Sequence, residues 1–433
     1  MEQATDVAVV GGGIVGLAAA AYLARAGHRV TVLEKANAPG GRAVTQEKSG
    51  FLMNMGAHAL YLGGAARRVL DELGVEAPGK VPPASGGYAV RGGVLHTLPT
   101  GFISLLTTGV VDLAGKLELA RMLSSVRSID TGALALQHVS ARAWLDASFR
   151  VPAARDVMEM LLRLSTYTAD MERLGAGPAI GQLQLAYTAN VRYVDGGWQT
   201  IVEGLRGAAT GAGAVVVTGA RAEAVEVEGG AVRGVRRADG SLLAAREVVL
   251  AVSPGAAAAL VPGVPSLAAH AARAVPVRAA CLDLGLSRLP RPGALVALGV
   301  DRPLYLSVHS ASARLAPPGG ALVHLVKYLG GADEGGDPEA ELDALMERVQ
   351  PGFRDVLVER RYLPAMIVSS AIVTAEDGYA GRPGPAVPGV RGLALAGDWI
   401  GPEGMLADAS LASAKRAAAL LAGTGAEALA RAA

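Results

Sequence analysis

Near its start the chain runs from an apolar stretch, Val7 to Val10, into Gly11-x-Gly13-x-x-Gly16 and then into a segment rich in alanine and leucine. A second apolar stretch, Arg29 to Leu33, ends at Glu34, 23 residues after Gly11. This order of strand, glycine turn, helix, strand and carboxylate constrains the fold most, because each part has its own physical task. Gly11 permits the tight turn, Gly13 lets backbone approach a pyrophosphate, and Gly16 lets the helix lie close on the strand. The helix N-terminus offers unpaired N–H groups and a positive dipole end to the phosphates. Glu34 stands where a carboxylate accepts hydrogen bonds from a ribose. A glycine triplet alone is weak evidence in a chain with 57 glycines, but here its required context is present. A secretory leader competes for Val7 to Leu23. Asp6 ahead of the run, the glycines inside it and the lack of a basic opening argue against that. The unit reads as a dinucleotide site.

The 433 residues are enough for two domains and a large core. With 18% charged residues and a net charge of +1, no polyanion field exists, so nucleic acid is not an expected partner. Cys281 is the single cysteine, which excludes an internal disulfide and thiolate-rich metal or iron–sulfur sites. No metal is expected, and the cytoplasm is the expected compartment. No apolar run has the length and freedom from glycine and charge that a spanning helix needs, which leaves peripheral membrane contact open.

Periodicity divides the rest. A helix is expected over Ala65 to Leu73, ended by Gly74, and another from Pro152 to Leu164. Apolar residues from Phe102 through Leu113 and Leu117 to Leu123 recur at three- and four-residue spacing, predicting one long helix. Its stripe is expected to pack inward, the alternative being a membrane-dipping surface with basic residues at its rim. A hairpin (Arg221 to Glu228, Val232 to Arg237) and a buried strand (Glu247 to Val252) follow. Longer strands are expected at Val275 to Leu286, Leu304 to His309, Ala321 to Leu329 and Ala365 to Thr374, with a helix from Pro338 to Val349. Last come a strand at Gly392 to Ala396 and a helix from Ala409 to Leu421. The expected architecture is a Rossmann-like α/β domain (1–80, 196–262, 386–433) interleaved with an α+β substrate-binding domain of mixed sheet and helices (81–195, 263–385).

Gly40-Gly41-Arg42 follows the second strand by a short loop and brings a guanidinium, whose planar fork suits phosphate, toward the same pyrophosphate. Far away, Leu393-Ala-Leu-Ala-Gly397-Asp398-Trp399 precedes the last helix. An aspartate ending a buried strand beside a glycine can hold a sugar hydroxyl, or serve as a simple helix cap.

Together these segments resemble the paired N- and C-terminal signatures of the FAD-dependent amine-oxidase superfamily, over the whole chain and in order. The group includes phytoene desaturases, protoporphyrinogen oxidases and monoamine oxidases. Asn54-Met-Gly56-Ala57-His58 is most similar to its phytoene-desaturase-related and protoporphyrinogen-oxidase-like branch. The resemblance implies that Gly11, Gly13 and Gly16 cradle the FAD pyrophosphate, with Glu34 and the adjacent Lys35 at the adenosine ribose and Gly41 and Arg42 at a phosphate. It sets the backbone of Ala222, where the family usually has valine, at the adenine. Gly56, Ala57 and His58 lie against the isoalloxazine, and Asp398, Met405 and Leu406 near the ribityl chain and pyrimidine edge. No cysteine stands where monoamine oxidases attach flavin, so FAD is expected to be non-covalent.

No second glycine turn with strand and helix around it occurs, so a nicotinamide reductant has no recognisable site. A flavin taking electrons from substrate, with oxygen, a quinone or another acceptor downstream, is the expectation. His58 is the candidate catalytic group, as proton acceptor or hydrogen-bond donor, against a purely structural role. Tyr305, His309, His324, Lys327 and Tyr328 lie on strands that could roof a pocket or face solvent; Lys327 faces oppositely to His324 and Tyr328. The expected activity is dehydrogenation or oxidation of a largely apolar small molecule, in carotenoid-like or other secondary metabolism. Alternatives are an amine or amino-acid oxidase making hydrogen peroxide, and a non-catalytic prenyl- or lipid-binding escort of the same fold.

Overall fold

The computed structural model describes residues 5–83, 86–99, 101–330 and 336–423. A five-stranded parallel sheet lies at one end, in the order Val215–Val217, Val30–Leu33, Val7–Val10, Glu247–Leu250, Leu393–Leu395. Parallel strands covered on both faces need continuous apolar runs, and Val7–Val10 is buried at every position. Helices Ile14–Arg25, Gln199–Gly211 and Leu406–Leu421 cover one face. The antiparallel trio Ala222–Glu228, Ala231–Arg237 and Leu242–Ala244, with helix Pro254–Leu260, covers the other. Going outward from Val7–Val10, one side holds strands earlier in the chain and the other side later ones, so the order reverses there. Crevices at such reversals, outside the carboxyl ends of the strands, are where α/β sheets bind ligands.

A seven-stranded mixed sheet stands at the other end: Leu357–Ser369, Val277–Leu286, Ala321–Leu329, Leu304–Val308, Val296–Gly299, Gly87–Arg91, Val94–Thr97. One face packs on helix Pro338–Val349 through Leu282, Leu284, Leu306 and Leu325. The other packs on a helical layer that includes Leu113–Ser125, Ala141–Ser148, Pro152–Thr166 and Ala176–Ala189.

Several elements match their sequence expectations, among them helix Ala65–Leu73, whose cap Gly74 is left-handed at φ 72°. Others do not. The single helix expected from Phe102 to Leu123 is two, Phe102–Thr107 and Leu113–Ser125, because Asp112 caps the second by accepting from Gly115 N. Its stripe packs inward only in part: Leu105 and Val110 are buried and Leu123 packs on the core, but Phe102, Ile103, Leu106, Leu113 and Leu117 are 54–77% exposed. The strand expected at Ala365 begins eight residues sooner, at Leu357, because its charged Glu359-Arg360-Arg361 run belongs to a sheet edge and hides it from an apolar reading. The closing helix starts at Leu406, three residues before the alanine run that announces it. Tyr305, His309, His324, Lys327 and Tyr328 are all buried, none facing solvent. Lys327 does point away from His324, toward Glu341 at 2.7 Å on helix Pro338–Val349.

Candidate active site

One cavity of about 940 Å³ runs from the ends of the parallel strands to the inner face of the larger sheet. At its first end Gly11 adopts φ 109°, and a Cβ there would stand 2.6 Å from the Ala251 carbonyl oxygen. A Cβ on Gly16 would stand 1.9 Å from the Gly11 oxygen, so helix and turn meet only without one. Gly13 differs: its Cβ would meet nothing closer than 3.8 Å. Packing therefore explains Gly11 and Gly16, while Gly13 leaves bare backbone facing the cavity. Glu34, buried at the end of Val30–Leu33, accepts from Gly12 N at 2.7 Å and Ala36 N at 2.8 Å. Each of its oxygens keeps a lone pair for a further donor.

At mid-length, Arg42 Nη1 donates to Asp398 Oδ2 at 2.8 Å and to the Val368 carbonyl at 3.0 Å. Ser370 N also donates to Asp398 Oδ2 at 2.9 Å. Burial opposes ionisation of Asp398, but the guanidinium and this N–H outweigh it and hold the carboxyl below its usual range. Asp398 Oδ1, buried, has no hydrogen-bond partner. An ionised oxygen in that state calls for a donor from whatever fills the cavity.

Ala57, His58, Tyr61, Tyr167, Trp198 and Met366 surround the far end. His58 Nδ1 lies 3.1 Å from the Gly56 oxygen, and its ring stands edge-on to Trp198 at 5.0 Å. Burial pushes its pKa down to about 4, so the imidazole is neutral at pH 7. Asp408, in the first turn of the closing helix, accepts from Ala66 N at 2.7 Å, and burial pushes its pKa up to about 6. Tyr167 (φ 59°) and Leu406 (φ 53°) hold left-handed backbone on this wall, a strain that persists where surroundings impose it.

Of the residues singled out from sequence, Gly11, Gly13, Glu34, Lys35, Gly41 and Arg42 line the cavity. So do Ala57, His58, Ala222, Asp398 and Leu406. Gly16, Gly56 and Met405 stand behind the wall: Gly56 backs onto Cys281 and Met366, and Met405 is buried in the core. Sequence reasoning missed Tyr61, Tyr167, Ser370 and Asp408. For Asp408 a signal existed, an acid just ahead of an alanine run; for the others none did. Among the described residues no group of three or more histidines, cysteines or carboxylates could hold a metal.

The sequence pattern of the flavin-containing amine oxidoreductases matches residues 14–422. The chain belongs to that family. Its cofactor is FAD, and the bare Gly13 backbone and the orphaned Asp398 oxygen fit such a group. The chain is 28% identical over 265 residues to phytoene dehydrogenase of Streptomyces griseus, covering 53% of this chain and 50% of that protein. It is 44% identical over 68 residues to a diapophytoene desaturase of Staphylococcus haemolyticus, covering 16% and 14%. The chain thus spans half or less of the length of these curated relatives. An oxidoreductase from Methanosarcina mazei shares the fold with a TM-score of 0.76 and 18% identity over 94% of this chain and 98% of that one.

Proposed function

We propose that this protein is an FAD-dependent dehydrogenase or oxidase that takes a hydride from a largely apolar small molecule, in carotenoid-like or other secondary metabolism. The observation that carries it is the continuity of one cavity from the glycine cradle to a chamber walled by Ala57, Ala59, Met366, Tyr61, Tyr167 and Trp198. FAD supplies the electron-accepting chemistry when bound. The chain's own residues bind and orient. Gly11 and Gly13, with the start of helix Ile14–Arg25, hold the pyrophosphate, Glu34 and Lys35 the adenosine ribose, and Ala222 the adenine by backbone. Asp398 Oδ1 takes a ribityl hydroxyl, and Leu406 flanks the pyrimidine edge. Arg42 keeps Nε and Nη2 for a phosphate oxygen while Nη1 fixes Asp398. Cys281, buried behind Gly56 with its thiol pushed upward by burial, is inert, so the cofactor is held non-covalently. His58, neutral and in the wall, accepts a proton or orients substrate.

Exposure of the Phe102–Thr107 and Leu113–Ser125 stripe supports peripheral contact with a membrane from which an apolar substrate is drawn. The protein's lone, buried thiol supports the cytoplasm as the compartment.

Anaerobic mixing of the flavin-loaded protein with unsaturated apolar compounds and with primary or secondary amines tests the reading. Bleaching of the flavin band by the former and not the latter is expected. A colourless protein sinks it. The amine-oxidase alternative draws on Asp408, a carboxylate in the cavity wall, and predicts bleaching by amines with hydrogen peroxide in air. His58→Ala should keep FAD bound while slowing single-turnover reduction about 100-fold or more, the usual scale of a lost acid–base group. Unchanged reduction would make His58 structural.

A further inference from the structure

A polar row crosses the cavity-facing side of the larger sheet. Arg361, Asp283, His324 and Ser307 stand in register on four adjacent strands, none more than 8% exposed. Arg361 donates to Asp283 Oδ2 through Nε at 3.1 Å and Nη2 at 2.5 Å, and also to the Asn54 carbonyl. Asp283 Oδ1 lies 2.5 Å from His324 Nδ1. Asp283, which Arg361 also holds, fixes the ring of His324 through Nδ1 and leaves Nε2 outside that bond. That Nε2 has no hydrogen-bond partner. His309 stands edge-on to it at 4.5 Å, stacks on Tyr193 at 3.8 Å, and leaves both of its ring nitrogens unpaired as well.

Three unpaired imidazole nitrogens in fully buried side chains are costly unless they serve a proton or a bound water. They stand beside the active site. Asn54, which receives Arg361, is four residues from His58, and Gly56, whose carbonyl lies 3.1 Å from His58 Nδ1, backs onto Cys281, two residues from Asp283 on the same strand. On the remaining side Tyr193 and Tyr305 spend their hydroxyls on each other, Tyr193 also on Ser307, and the buried Cys281 thiol stays neutral.

We propose that Asp283, His324 and His309 form a buried proton-holding chain behind His58, which takes up the proton released when substrate gives its hydride to the flavin. The inference rests on the oxidoreductase reading above. One substrate C–H bond breaks with its electron pair passing to FAD. The neighbouring C–H gives its proton to His58, from which it reaches His324 Nε2 or His309. Substrate leaves with one more double bond, and the positive charge gained by the imidazoles rests against Asp283. His324 and Asp283 are positioning and proton-holding groups; neither touches substrate.

Redox titration of the flavin-loaded protein with dithionite, between about pH 5 and 8 and so above the range to which burial lowers His58 and His309 in the oxidised protein, tests this without a substrate. Each proton coupled to a two-electron reduction lowers the potential by about 30 mV for a tenfold fall in proton activity. Wild type should show that extra slope, and His324→Gln and His309→Phe, which keep the donor to Asp283 and the stack on Tyr193, should lose it. Equal slopes in all three proteins overturn the chain. Should the variants fail to fold, nitrogen NMR of histidine-labelled wild type decides. One buried imidazole should pass from one N–H to two on reduction, and no change overturns the proposal. A protein that binds no flavin overturns both readings. A flavin that no apolar compound reduces, with slopes still lost in the variants, overturns the substrate reading and keeps the chain.

Discussion

Gly13 and Gly16 belong to one motif but answer to different partners, and substitution separates them. An alanine at Gly13 has room, with 3.8 Å to its nearest neighbour, whereas one at Gly16 collides with the Gly11 carbonyl at 1.9 Å. Gly13→Ala should therefore fold with near-native circular dichroism and melting and yet carry little flavin, while Gly16→Ala should be destabilised by several kcal/mol, on the order of an overpacked core. Equal flavin loss with equal unfolding would remove the distinction. Asp408 gives a second expectation. An acid whose pKa is raised on folding stabilises the fold only while protonated, and that contribution is lost as pH rises through about 6. Asp408→Asn keeps an oxygen for Ala66 N but cannot ionise. Urea unfolding of the apoprotein should show it about 1–3 kcal/mol more stable than wild type at pH 8, with the gap closing toward pH 4. A constant gap across that range would mean the carboxyl is not titrating there. The glycines and Glu34 were legible because their chemistry is local. The position of Asp408 ahead of an alanine run was visible too, but its partner Ala66 lies 342 residues away, where no spacing rule reaches.

Among the elements, the pair Phe102–Thr107 and Leu113–Ser125 stands out because Phe102, Ile103, Leu106, Leu113 and Leu117 meet water. Full burial of each is worth roughly 1.5–3 kcal/mol, so partial insertion of two or three is comparable to a reversible lipid anchor. Lys116, whose ammonium reaches the Leu106 carbonyl, and Arg121 stand beside the stripe, as the rim of an interfacial helix requires. Replacing Phe102, Ile103 and Leu113 together by serine should abolish co-sedimentation with vesicles containing anionic lipid and leave the melting temperature within about 2 °C, since exposed positions contribute little to folding. Retained sedimentation would return the face to ordinary surface. Period alone could not show this. A stripe facing lipid and one facing a core have the same spacing, and Asp112 breaks the helix by an N-cap that the apolar count passes over. The edge strand Leu357–Ser369 was hidden for a related reason: charges at an edge offset the alternation that marks strands elsewhere.

At the scale of the whole molecule, the cavity is closed by segments from both ends of the sequence and by the larger sheet between them. A ligand bridging such segments adds stability by mass action, about 2.7 kcal/mol at a concentration one hundred times its dissociation constant. FAD added to the apoprotein should raise the melting temperature with the logarithm of its concentration, and FMN, which cannot reach Glu34, should do so far less. Equal shifts would take the adenosine half out of the cradle. The doubly covered parallel sheet could be read in advance, since continuous apolar strands after glycine turns admit few other arrangements. The polar row Arg361–Asp283–His324 could not: its members are 41 and 78 residues apart and only pairing in the sheet aligns them.

The bond between Arg42 and Asp398 spans 356 residues. At the pace of a ribosome, roughly 5–20 residues per second, one half of that clasp waits on the order of 20–70 s for the other. A nascent chain in that interval has its first strand, its glycine turn and Glu34, but nothing to shut them around a nucleotide. Colour should therefore come late to each newly made molecule, and a stalled or prematurely released chain should stay pale however much vitamin the cell supplies.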